Sequence, residues 1–63
     1  MVEGKIKFFN ETKGFGFITC DEGEIFVHVT KIKDDVVPKT DDDVSFDIIE
    51  TDRGKQADNV QIQ

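Results

Sequence analysis

The side chains best equipped for chemistry in these 63 residues are rings and cations, and they fall together. Lys13-Gly14-Phe15-Gly16-Phe17-Ile18 is followed, after a short gap, by Ile25-Phe26-Val27-His28. At strand period one face of the first run is Lys13, Phe15 and Phe17, and the other is Gly14, Gly16 and Ile18. One face of the second run is Glu24, Phe26 and His28; the other is Ile25, Val27 and Val29. Two apolar faces compete for one small core, and the aliphatic set is able to fill it. Phe15, Phe17, Phe26 and His28 then stand together in solvent. Exposed aromatic clusters mark binding surfaces, and flat rings flanked by lysine suit the stacked bases of a single nucleic-acid strand. On pattern alone the inverse, with both phenylalanines inside and Ile18 outside, stays an alternative.

The elements that position these rings read as strands throughout. Residues 4–9 alternate lysine with larger apolar groups, and Asn10-Glu11-Thr12-Lys13-Gly14 has the chemistry to reverse the chain. A second strand runs over Phe15–Cys20, Asp21-Glu22-Gly23 turns, and a third runs over Glu24–Val29. Thr30 to Asp43, with Pro38 and two acidic clusters, has no clean period and reads as a long connection. Val44, Phe46 and Ile48 resume the alternation, Asp52-Arg53-Gly54 turns, and Ala57–Ile62 makes a fifth strand. No apolar stripe of helical period is present. Three meandering strands, a crossover and two more strands predict an all-β fold, a five-stranded antiparallel barrel whose closure removes exposed edges. The expected core is Ile6, Ile18, Ile25, Val27, Val44, Phe46, Ile48, Val60 and Ile62, with Gly14 and Gly16 giving room on the inner face of a strongly coiled strand.

Length allows one domain, residues 1–63, near the lower limit for folding alone. The single Cys20 excludes an internal disulfide, and no stretch has the length of a membrane span or a signal core. A soluble cytoplasmic monomer is the expectation. The net charge of −6 argues against a binder driven by charge, but the charge is unevenly spread. Residues 4–19 carry Lys5, Lys7 and Lys13 against Glu11, whereas residues 34–52 carry eight acids against Lys39. Asp34-Asp35 and Asp41-Asp42-Asp43 lack the glycine and terminal glutamate of an EF-hand loop, so they read as a solvated acidic loop rather than a calcium site. His28 has no second His or Cys near enough in sequence for zinc. No nucleophile is paired with a base and no glycine-rich loop leads into a helix. Neither an enzyme, nor a cofactor, nor a small-molecule substrate is expected.

Gly4-Lys5-Ile6-Lys7-Phe8-Phe9-Asn10, Lys13-Gly14-Phe15-Gly16-Phe17-Ile18 and Ile25-Phe26-Val27-His28 closely resemble the cold-shock domain family, and Gly54 with Gln56-Ala57-Asp58-Asn59-Val60 resembles its last strand. The resemblance spans nearly the whole chain. It implies a five-stranded oligonucleotide-binding (OB-fold) barrel that binds single-stranded RNA and DNA and acts as an RNA chaperone, preventing or melting secondary structure. Carried over by position, it makes Phe15, Phe17, Phe26 and His28 the central stacking platform. Phe8 stands where the family usually has tryptophan. Lys7 and Lys13 would attract the backbone, Asn10 would support the first turn or bond a base, and Arg53 would approach from the last loop. Strict alternation puts Phe8 inside with Ile6 and Phe9 outside with Lys7, so exposing both rings requires a bulge or strong coiling near residue 8.

The chain departs from that pattern at one end of the platform. Val29 follows the F-V-H motif where an aromatic is frequent, Thr30 replaces serine, Lys31 replaces a small residue, and Lys55 replaces a proline. The crossover after Ile32 is shorter than in many bacterial members of the family and lacks the phenylalanine that extends their platform. The resemblance therefore implies fewer bases held and weaker binding than in fuller versions of the site. Two other roles compete on sequence alone. One is a protein-interaction module using the aromatic patch and acidic loop; the other is antitermination of transcription.

Overall fold

Alternating apolar residues separated by turn-forming clusters leave the chain one way to satisfy its backbone, which is to pair strand with strand. The computed structural model describes residues 1–33 and 36–63; Asp34 and Asp35 of the acidic stretch lie outside the described residues. Its elements are β1 (Val2–Asn10), β2 (Phe15–Cys20), β3 (Gly23–His28), a single 3₁₀ turn (Val29–Lys31), β4 (Asp43–Thr51) and β5 (Gly54–Ile62). They close into a barrel in the order β1-β2-β3-β5-β4. Four pairings are antiparallel, and the seam between β3 and β5 is parallel, through Phe26 and Gln56. The chain reaches that seam by the crossover, where Ile32 makes a parallel bridge to Val60. No described helix is long and apolar enough to cross a membrane.

The interior is aliphatic. Ile6, Ile18, Ile25, Val27, Ile32, Val44, Phe46, Ala57 and Val60 are buried in one cluster, and Val2, Phe9, Cys20, Ile48 and Ile62 pack against it half-buried. Ile18 is therefore inside and the inverse assignment of β2 does not hold. Ile32 and Ala57 join the core although the strand alternation did not point to them. β5 also begins at Gly54, three residues before the apolar pattern, because pairing with β4 continues to the turn.

Two irregularities shape the barrel. The β1–β2 register shifts between Ile6 and Phe8, so that Ile6 faces Ile18 and Phe8 already faces Phe17. Lys7 is the extra residue of this bulge. A second shift in the β4–β5 ladder leaves an extra residue on β5, where Asn59 takes the left-handed conformation at φ 53°. Asparagine is among the few residues that accept it.

Glycines serve two different needs at the start of β2. Gly14 is not on the inner face of a strand; it ends the β1–β2 turn at φ 77°, and its carbonyl accepts from the Val29 amide at 2.8 Å. Gly16 lets β1 pass close. A Cβ there would overlap the Phe8 carbonyl oxygen and lie 2.8 Å from Phe9 Cα, both backbone atoms that cannot swing aside. Gly16→Ala is expected to destabilise the fold by about 1–3 kcal/mol, the range for forcing extra volume into a packed site. Urea unfolding followed by far-UV circular dichroism checks this, and an unchanged midpoint would contradict the close approach.

Candidate nucleic-acid interface

Strand alternation on β2 and β3 pushes one ring set outward, and cross-strand pairing brings the rings into register. Phe17 pairs with Phe26 and Phe15 with His28 across β2–β3, while Phe8 pairs with Phe17 across β1–β2. The ring centroids of Phe8 and Phe17 are 5.6 Å apart and tilted by 46°. Phe17 meets Phe26 edge to face at 5.8 Å, and Phe26 stacks on Phe15 at 5.6 Å. These separations lie in the range where aromatic pairs attract beyond their buried area, by about 0.5–1.5 kcal/mol each. The four phenylalanines thus brace one another while keeping open faces. Phe8 is 41% exposed, Phe15, Phe17 and Phe26 are half-buried, and His28 is exposed at the edge.

The bulge at Lys7 decides which ring of the Phe8-Phe9 pair joins this row. It turns Lys7 and Phe8 outward in succession and sends Phe9 back toward the core, against which it packs. Phe9 is not brought together with the other rings. It lines a separate cleft of about 410 Å³ with Glu11, Val37, Pro38, Lys39 and Thr40.

Asn10 is committed to the first turn. Its Oδ1 accepts from the Lys13 amide at 3.0 Å, and its carbonyl accepts from the Gly14 amide at 2.8 Å. The turn holds exposed Lys13 at the Phe15 end of the row. Arg53 arrives from the opposite direction. The parallel seam sets β5 beside β3, and the β4–β5 turn places Arg53 with Gln56, Phe17 and Phe26 around a cleft of about 230 Å³. Thr51 fixes that turn, its hydroxyl accepting from the Arg53 amide at 3.1 Å and donating to the Gly54 carbonyl at 2.9 Å. Lys7 is engaged within the protein, with Nζ 2.6 Å from Glu24 Oε2. Among the described residues, Lys13 and Arg53 have no carboxylate within ion-pair distance.

Two contributors were missed in the sequence. Gln56 borders the rings only because of the parallel seam, and no local pattern announces such a long-range pairing. Thr30 orients His28. The Thr30 amide donates to His28 Nδ1 at 3.3 Å and the Thr30 hydroxyl lies 2.9 Å from the same nitrogen. An amide can only donate, so Nδ1 is the acceptor in this contact, which favours the Nε2–H tautomer of the neutral ring. A polar residue two positions after a histidine at a strand end was the available signal. The acidic residues also have structural tasks. Asp42 accepts from the Lys39 amide at 2.9 Å, Asp43 pairs with Lys5 at 3.4 Å, and the Asp42 carbonyl accepts from the Ile6 amide at 2.9 Å.

A sequence model of the "Cold-shock" DNA-binding domain matches residues 2–63. Similar proteins include Cold shock protein CspD of Bacillus subtilis, 48% identical over 63 residues that cover 95% of this chain and 96% of the relative. Cold shock protein 2 of Lactiplantibacillus plantarum is 46% identical over 66 residues, covering both chains in full. Among solved structures, "drosophila Unr CSD456" superposes with a TM-score of 0.80 at 28% identity; 98% of this chain matches 26% of that one. The bonding of His28 yields a direct expectation: nitrogen-15 NMR of the neutral ring should show the proton on Nε2. A ring protonated mainly on Nδ1 would contradict the Thr30 contact.

Proposed function

The chain belongs to the cold-shock domain family, and from that premise we propose that it binds single-stranded RNA and DNA by stacking unpaired bases on Phe8, Phe15, Phe17, Phe26 and His28. The observation that carries this reading is the unbroken row of rings, each within 6 Å of the next among the phenylalanines, with open faces on one side of the barrel. Bases in a duplex hide their faces from such a row. A structured RNA is therefore drawn toward its open forms by mass action, because only the open form is bound. This is RNA-chaperone behaviour in a single domain spanning residues 1–63, without catalysis, ATP or a cofactor, performed as a cytoplasmic monomer.

Within this reading each site residue has a task. The rings supply affinity, at about 1–3 kcal/mol per stacked base. Lys13 engages phosphate at the Phe15 end of the row, and Arg53 does so beside Phe17 and Phe26. Asn10 shapes the turn that carries Lys13, and its amide nitrogen remains to donate to a base. Phe9 supports the row from beneath by packing the bulge onto the core. Lys7 contributes less than its position implies, because Glu24 already occupies its ammonium.

Anisotropy of a labelled pyrimidine hexamer, titrated beside a duplex of equal length, tests the proposal. Low-micromolar or tighter binding of the single strand with little of the duplex is expected. Phe17→Ala and Phe26→Ala should each weaken binding roughly 5- to 100-fold with the fold intact, from about 1–3 kcal/mol per stack and 1.4 kcal/mol per decade. Lys7→Ala should weaken it by about twofold. With two free cations engaged, log K should fall against log[salt] with a slope of magnitude about 1.4, from about 0.7 per phosphate. A slope near ten, or unfolding of both phenylalanine variants with abolition of binding by Lys7→Ala, would reject stacking as the main force.

A further inference from the structure

We infer that Glu24 sets the affinity of this surface by holding Lys7 away from the nucleic-acid backbone. This rests on the single-strand reading above. The bulge in β1 turns Lys7 outward next to Phe8, at the edge of the ring row. Phe8 and Lys7 are therefore adjacent groups on one surface, and a strand stacked on Phe8 brings its phosphates near the lysine. Glu24 stands two residues before Phe26 on β3, and Lys7 reaches it across β2, with Nζ 2.6 Å from Oε2. Their side chains are 50% and 51% exposed, so the pair is solvated and exchangeable, yet short enough to be a hydrogen bond as well.

Any phosphate that takes Lys7 must displace this carboxylate, which then sits uncompensated beside the incoming anion. Backbone binding at this point is opposed because Lys7 is withdrawn: a phosphate gains the lysine only by breaking the Lys7–Glu24 pair. Phosphate contacts are made equally by paired and unpaired nucleic acid. Withdrawing one lowers binding that does not depend on base faces, and leaves stacking to decide which strands are retained. Glu24 is therefore a specificity-determining residue, and it acts through Lys7.

Glu24→Gln keeps the shape and removes the charge. It is expected to raise affinity for a labelled pyrimidine hexamer, and to do so about fivefold more at 50 mM than at 500 mM salt, as one added phosphate contact at a slope of about 0.7 requires. The slope itself should grow in magnitude by about 0.7. Binding to a duplex of equal length should rise from its low level. In a Lys7→Ala background the gain from Glu24→Gln should vanish, and thermal unfolding of each variant confirms that the barrel is intact. A gain that persists without Lys7 would mean simple relief of repulsion and would overturn the inference. So would an unaltered affinity and slope in Glu24→Gln. Failure of the native protein and all variants to bind any single strand would overturn the stacking reading itself, and the inference with it.

Discussion

The width of the barrel interior governs everything outside it. Five strands of six to nine residues enclose room for one layer of side chains, and nine described apolar residues fill it, with Phe46 the sole ring among them. Packed interiors have no slack for further rings. Gly16 shows how tight the fit is on the β1 side, where even a methyl group would meet backbone. Phe9 packs only half-buried against the core, and the other phenylalanines of β1, β2 and β3 are gathered on one outer face by pairing between those strands. An apolar surface kept in water on a chain this small weakens its solubility and adds nothing to its core. Mutual ring contacts limit that penalty and leave flat faces open, which is what the proposed stacking of bases requires.

Closure of the barrel then decides which polar groups reach the rings. The parallel seam between β3 and β5 carries Gln56 and, through the β4–β5 turn, Arg53 to Phe17 and Phe26. The turn after β1 carries Lys13 to the Phe15 end of the row. The bulge at Lys7 does two things at once, since it exposes Phe8 and delivers Lys7 to Glu24. A regular β1 would have turned Phe8 inward and Phe9 outward, exchanging the ring that meets Phe17 for its neighbour. The single extra residue thus selects Phe8 as the β1 ring that meets Phe17.

Much of this was legible in the sequence. The period-two alternation of Phe15-Gly16-Phe17-Ile18 and Ile25-Phe26-Val27-His28 separated core from surface correctly, because both runs are regular strands whose side chains obey the pleat. The need for a bulge near Phe8 was also visible, from two adjacent rings that cannot both face out of a regular strand. Which of the two turns inward was not. That depends on where the extra residue falls against β2, and register is a property of the pair of strands rather than of either alone. Ile32, Ala57 and Gln56 were hidden for a related reason: their positions follow from the parallel seam, formed between segments far apart in the chain. Thr30 was hidden because a side-chain bond to a ring nitrogen leaves no trace in hydrophobic pattern. Gly14 was misplaced because its left-handed φ ends a turn one residue before the strand begins.

An acidic protein that binds an acidic polymer must separate its forces by range. Stacking acts only at contact, whereas Coulomb repulsion extends to the Debye length, about 8–10 Å at ordinary ionic strength. Asp42 and Asp43 lie beside β1 on its β4 edge, and Asp43 is offset by Lys5. Charges farther than a Debye length from a bound strand are largely screened, so their repulsion costs a stacked complex little. Four lysines are similarly spent on internal carboxylates, namely Lys5, Lys7, Lys31 and Lys55. Exposed pairs of this kind add little to stability, with a median of about 0–1 kcal/mol, so their larger consequence is for binding. They remove the cations that would otherwise attract any phosphate backbone, paired or not. What remains at close range is aromatic area with Lys13 and Arg53 beside it, and only unpaired bases offer a matching face to the rings. The net charge of −6 that first argues against nucleic acid is, on this account, part of how the barrel discriminates between its forms.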